Sequence, residues 1–158
     1  MMQALRKTVN TGLEKILIFL LGILVLDVLW QVFSRYVMSS PSAFTDEMAG
    51  FLLIWVGLLG AAYVSGKNEH LAIDLLIQKS SPARQIVLHK LISLLIIFFA
   101  ISVLIIGGSW LTYTRFVLNV RSAALGLPLG YVYLVLPLSG LLILFFSLSD
   151  LILGGGRS

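Results

Sequence analysis

The sequence predicts an all-α polytopic membrane protein: four transmembrane helices, with a short interfacial amphipathic helix between the second and third. Three observations predict it. Hydrophobic residues make up 59% of the chain and charged residues 11%, where a soluble domain carries about a quarter charged residues. The apolar residues fall into four long runs, at about residues 15–38, 46–66, 88–116 and 128–153. Each is long enough to cross a hydrocarbon core about 30 Å thick, which takes roughly 20 apolar residues. Finally, the cations are unevenly placed. Arg6, Lys7, Lys15, Lys67, Lys79, Arg84, Lys90 and Arg157 fall on one side of the spans, and only Arg35, Arg115 and Arg121 on the other. Loops rich in Lys and Arg stay cytoplasmic, so residues 1–158 read as one four-helix domain with both termini in the cytoplasm. The net charge of +4 is thereby a topology signal, and no basic patch remains for nucleic acid.

Residues 1–14 form a polar segment of helical character. The first span is longer than the about 7–15 residues of a signal-peptide core and reads as an uncleaved signal anchor. Lys15 and Arg35 lie about 30 Å apart along a helix and mark its two interfaces. Pro41 restricts the residue before it to extended conformations, which turns the chain at Ser39–Ser42. The second span follows, with Thr45 as its N-cap and Asp46 and Glu47 in its first turn, where acids favour the helix dipole. Residues 71–79 are mostly apolar, too short to span, and end in Lys79, as an amphipathic helix in the cytoplasmic interface would. Pro82 suits the first turn of the third helix, which runs from about residue 83 to 118 and exceeds what a bilayer requires. Trp110 and Tyr113 fit an outer aromatic belt with Tyr36, Tyr131 and Tyr133. Pro128 opens the fourth span and Pro137 kinks it.

Chemistry-bearing residues are few. Asp27 is the one acid well inside a span, and an intramembrane carboxylate is expensive enough to be a functional candidate. It serves either as the proton-linked site of a stand-alone four-helix exchanger acting as a homodimer, or as part of an intrahelical polar stripe with Gln31 and Arg35. Gly57, Ala61 and Ser65 recur every four residues, a small-residue face that admits a neighbouring backbone; with Trp55 they are the predicted subunit-packing residues. Asp46, Glu47, Arg115 and Arg121 share the outer side and form the predicted docking surface, although capping alone explains the two acids. His70 has no second ligand at metal spacing, so no metal site is predicted. The chain has no cysteine, which excludes disulfides and thiol chemistry. No GxxxxGK, HExxH or GxSxG pattern occurs. The chain reads as no enzyme and, with so few buried polar groups, as an accessory subunit and not a transporter by itself.

Trp30-Gln31-Val32, Arg35-Tyr36, Pro41, Phe44-Thr45-Asp46-Glu47, Trp55, Gly60-Ala61-Ala62 and the stretch from His70 to Asp74 together resemble the small membrane subunit, DctQ/SiaQ type, of tripartite ATP-independent periplasmic (TRAP) transporters. Pro128 and Pro137 extend the likeness over nearly the whole chain. The family usually has tryptophan where Phe44 stands, often glutamate at Asp46 and commonly arginine at Gly50, so an intramembrane ion pair at Gly50 is missing here. The resemblance implies a scaffold subunit of the bacterial inner membrane without a substrate site or cofactor of its own. It also implies a large elevator-type membrane subunit that carries sodium coupling, and a periplasmic binding protein that delivers an organic anion, a carboxylate such as a dicarboxylate or sialic acid.

Overall fold

The computed structural model describes residues 2–39, 42–67 and 82–152. The expected interfacial helix at 71–79, together with His70, lies outside the described residues. Four helices long and apolar enough to cross a membrane are present. Helix α1 is Met2–Tyr36 and α2 is Ala43–Lys67. Helix α3 runs over residues 82–117, α-helical at Pro82–Phe99 and Gly108–Val117 and π-helical at Ala100–Gly107. Helix α4 runs over residues 129–152 in two pieces, Leu129–Tyr133 and Val135–Ile152.

The polar N-terminal segment is not a separate element. Nothing in residues 2–14 breaks a helix, so α1 continues unbroken for 35 residues, about 52 Å at 1.5 Å per residue. Helix α2 also starts earlier than the Thr45 cap predicts. Ser42 is the capping residue: its hydroxyl accepts the Thr45 N–H at 3.5 Å, and the Thr45 hydroxyl donates to the Ser42 carbonyl at 3.0 Å. The interruption of α4 at Leu134 sits beside Pro137, which has no N–H to give the carbonyl four residues back. The Trp55 indole N–H, from α2, donates to the nearby Val132 carbonyl at 3.1 Å and so occupies an acceptor next to the break.

The helices pack in the order α1–α2–α4–α3. Among the described residues neither α1 nor α2 makes a close backbone approach to α3, so the four form an open row with α4 inside it. Of the most apolar stretch of α4, 44% is buried within the chain; of that of α1, 6%. One core cluster joins Leu13, Leu17, Leu59, Val135 and Phe146 across α1, α2 and α4. A second joins Ala62, Ala100, Leu104 and Ile143 across α2, α3 and α4.

Helix association in lipid gains nothing from exchanging one apolar neighbour for another, so it depends on close fit and small side chains. The α3–α4 seam shows this. A Cβ at Gly108 would stand 2.7 Å from the Leu136 Cβ, and one at Gly140 would stand 2.8 Å from the Leu104 Cβ. Gly130 lies under the Phe116 ring, which stacks edge-on to Tyr131 at 5.1 Å. Several hydroxyls on these helices are satisfied by their own backbone, as with Ser139 to the Leu136 carbonyl (2.9 Å) and Thr112 to the Gly108 carbonyl (2.8 Å). That is what a hydrocarbon surrounding requires.

Gly108→Ala and Gly140→Ala should each destabilise the protein by roughly 1–3 kcal/mol, the cost of overpacking a tight core, because the atoms they meet are fixed close to the backbone. Gly57→Ala, with nothing within 4 Å of its Cβ position, should leave stability unchanged or slightly raised. Thermal unfolding in detergent micelles, read for the three variants side by side, checks the contrast.

Candidate functional site

The two ends of the row are tied differently. At the end where α1 starts and α4 finishes, Arg6 reaches across the domain. Its Nε and Nη2 donate to the Gly66 carbonyl at 3.0 and 2.9 Å, and its Nη1 donates to the Asp150 carboxylate. The guanidinium also lies over the Phe146 ring, 5.9 Å from its centroid. The fork of an arginine suits this double task, two donors for the last-turn carbonyl of α2 and a third for a carboxylate. Gly66 is needed at the crossing, because a Cβ there would stand 2.5 Å from Asn10 Oδ1 and 3.0 Å from the Phe146 ring. Sequence reasoning reads Arg6 only as one of the topology charges. With 144 positions between it and Asp150, no local pattern links the two.

At the loop end, residues 118–128 fold into a compact turn closed by backbone bonds from Ser122 N–H to the Leu127 carbonyl (2.9 Å) and from Leu129 N–H to the Val120 carbonyl (2.9 Å). Gly126 supplies the left-handed conformation (φ +64°) that the turn needs. Glu47, in the first turns of α2, reaches into this loop. Its carboxylate accepts the N–H groups of Ala123, Ala124 and Leu125 at 2.8, 2.9 and 2.9 Å. Three successive N–H groups converging on one carboxylate form an anion nest, and this one joins the start of α2 to the α3–α4 connection.

The other predicted docking residues are placed as follows. Asp46 lies 3.8 Å from Arg35, both half exposed, a geometry worth little in energy. Arg121 is exposed. Arg115 lies over the Tyr133 ring at 5.7 Å. Tyr36, Trp110, Tyr113 and Tyr131 are all exposed at this end, as interfacial aromatic residues are.

The predicted packing face divides. Gly57 and Ala61 are exposed on α2, on the same face as Gly50, Leu53, Ile54 and Val64. Ser65 is buried within the chain, and Trp55 is bonded to Val132. The predicted polar stripe divides as well. Asp27 is 9% exposed and its Oδ2 has no hydrogen-bond partner, while Arg35 turns to Asp46. Asp27 opens on a groove of about 600 Å³ between α1 and α2, walled by Ile23, Leu26 and Trp30 on one side and Phe44, Thr45 and Met48 on the other.

The fold and these sites define a four-span membrane subunit whose polar groups mostly secure its own loops and helix ends. The family profile of the DctQ component of the tripartite ATP-independent periplasmic transporters matches residues 24–154. The chain is 31% identical over 142 residues to a protein of Haemophilus influenzae that carries the name of a TRAP transporter small permease protein, covering 89% of this chain and 85% of that one. It is 26% identical over 152 residues to the sialic acid TRAP transporter small permease protein SiaQ of Vibrio cholerae, covering 85% and 81%. A stretch of 46 residues, 29% of this chain, is 41% identical to 8% of the sialic acid TRAP transporter permease protein SiaT of Haemophilus influenzae. The chain belongs to the DctQ family of TRAP small permease subunits, a family of transporters and not of enzymes.

Glu47→Ala should free the three loop N–H groups and speed hydrogen exchange at Ala123, Ala124 and Leu125 by roughly tenfold, the scale of a charge-assisted hydrogen bond. Glu47→Gln keeps one acceptor oxygen and should fall between the two. Mass-spectrometric exchange over residues 118–128 reads the order directly.

Proposed function

We propose that this chain is the fixed scaffold subunit of a sodium-coupled importer of an organic anion in the bacterial inner membrane, and that it works only in complex with a large membrane subunit. The observation that carries this reading is the open row: helix faces such as that of Gly57 and Ala61 stay uncovered within the chain, and the most apolar stretch of α1 is 6% buried. A neighbouring membrane protein fits such faces. The cation bias supports a loop end in the periplasm and both termini in the cytoplasm. A periplasmic binding protein would then meet Asp46, Arg35 and Arg121, exposed charges at the loop end. The large subunit carries the sodium and substrate sites and moves against this scaffold. The names of the SiaQ and SiaT relatives favour sialic acid, or a carboxylate like it, as the cargo. No observation favours the exchanger reading of Asp27.

Proteoliposomes holding this chain alone should take up no labelled sialic acid or dicarboxylate under a sodium gradient, while those holding the large subunit as well, supplied with the binding protein, should. Uptake by the chain alone would overturn the reading. Gly57→Leu and Ala61→Leu should cut recovery of the large subunit in co-purification by roughly tenfold, since each puts a branched side chain where a partner backbone approaches; unchanged recovery would count against that face.

A further inference from the structure

We infer that the groove between α1 and α2 receives a lysine or arginine side chain from a transmembrane helix of the large subunit, with Asp27 as its counter-charge; this rests on the scaffold reading above. The groove is mostly apolar, with Ile23, Leu26 and Trp30 on the α1 wall and Phe44 and Met48 beside the hydroxyl residues Ser42 and Thr45 on the other. Its one carboxylate is nine-tenths buried, and Oδ2 has no hydrogen-bond partner. The cation nearest in sequence on the same helix, Arg35, is turned to Asp46. A buried carboxylate in hydrocarbon is stable as an ion only with a cation against it, and among the described residues none bonds to Oδ2.

Depth chooses the occupant. Asp27 lies eight residues before Arg35, about 12 Å from that interfacial marker along the helix axis, and twelve after Lys15, about 18 Å. The ammonium group of a phospholipid stays at headgroup level and would have to sink by that distance, with its phosphate, to reach the carboxylate. A lysine or arginine carried on a neighbouring helix is already at that depth, and its aliphatic stem suits the mostly apolar walls. The groove is also separate from the Gly57 and Ala61 face of α2, so it adds a polar anchor to an interface that small residues alone would leave free to slide.

The test uses the complex of this chain with its large subunit. A photo-crosslinking residue replaces Leu26, which is 68% exposed at the groove, or Phe98, equally exposed on α3. The Leu26 probe should form an adduct with the large subunit, and the Phe98 probe should form none. Asp27→Asn removes the charge and should lower co-purification of the large subunit by roughly tenfold or more. Its thermal midpoint alone in detergent should not fall, because no hydrogen bond to Oδ2 is lost and an unpaired buried carboxylate is removed. Leu26→Trp, which fills an exposed groove without touching the core, should lower recovery similarly. A lipid adduct at Leu26, or wild-type recovery with Asp27→Asn, overturns the groove assignment and leaves the scaffold reading intact. Failure of the wild-type chain to bind any large subunit overturns both.

Discussion

The fit of α4 between α2 and α3 is the constraint on which the rest of the structure depends. In lipid, apolar side chains have no reason to prefer one another over acyl chains, so the packing order has to come from shape. Gly108 and Gly140 let α3 and α4 approach until Leu136 and Leu104 touch opposing backbone. Ala62, Ala100 and Ile143 complete the seam. The π-helical turns at Ala100–Gly107 lie along this contact, with Ala100 and Leu104 buried against α4. Because α4 is enclosed on both sides, α1 is left with α2 and a short contact near the chain's first turns. The row stays open, and its outer faces are left for another protein or for lipid.

An open row needs its ends fixed, and the polar residues do that. Arg6 joins the start of α1 to the last turn of α2 and to Asp150 in α4, which closes the end where these three helices meet. Glu47 ties the opposite end, holding the α3–α4 loop through three N–H groups. The loop that Glu47 holds carries Arg121, so that residue and Asp46 lie at the same end of the domain.

Much of this was legible in the sequence because it depends on local chemistry. Run lengths place the four helices, Pro82 starts α3, and the break at Leu134 accompanies Pro137. What could not be read depends on contacts between distant residues. Gly57 and Gly140 are both glycines in apolar helices, yet one faces open space and the other a leucine; both faces are apolar, so no periodicity separates them. Ser42 outcompeted Thr45 as the cap because helix-start signals are accurate only to a turn or so. The sequence offers Glu47 as a dipole cap or a docking residue. The three N–H groups it binds are 76 to 78 positions away. The interfacial helix at 71–79 lies outside the described residues.

The helices form an open row and leave faces for a partner. Disulfide trapping measures this most directly, since the chain has no cysteine of its own. Cysteine pairs at Leu17 with Leu59 and at Leu104 with Gly140 should link within one chain in native membranes. Pairs scanned between residues 21–29 of α1 and 98–106 of α3 should give no intramolecular link. A ready link between α1 and α3 would mean a closed bundle and would contradict the account.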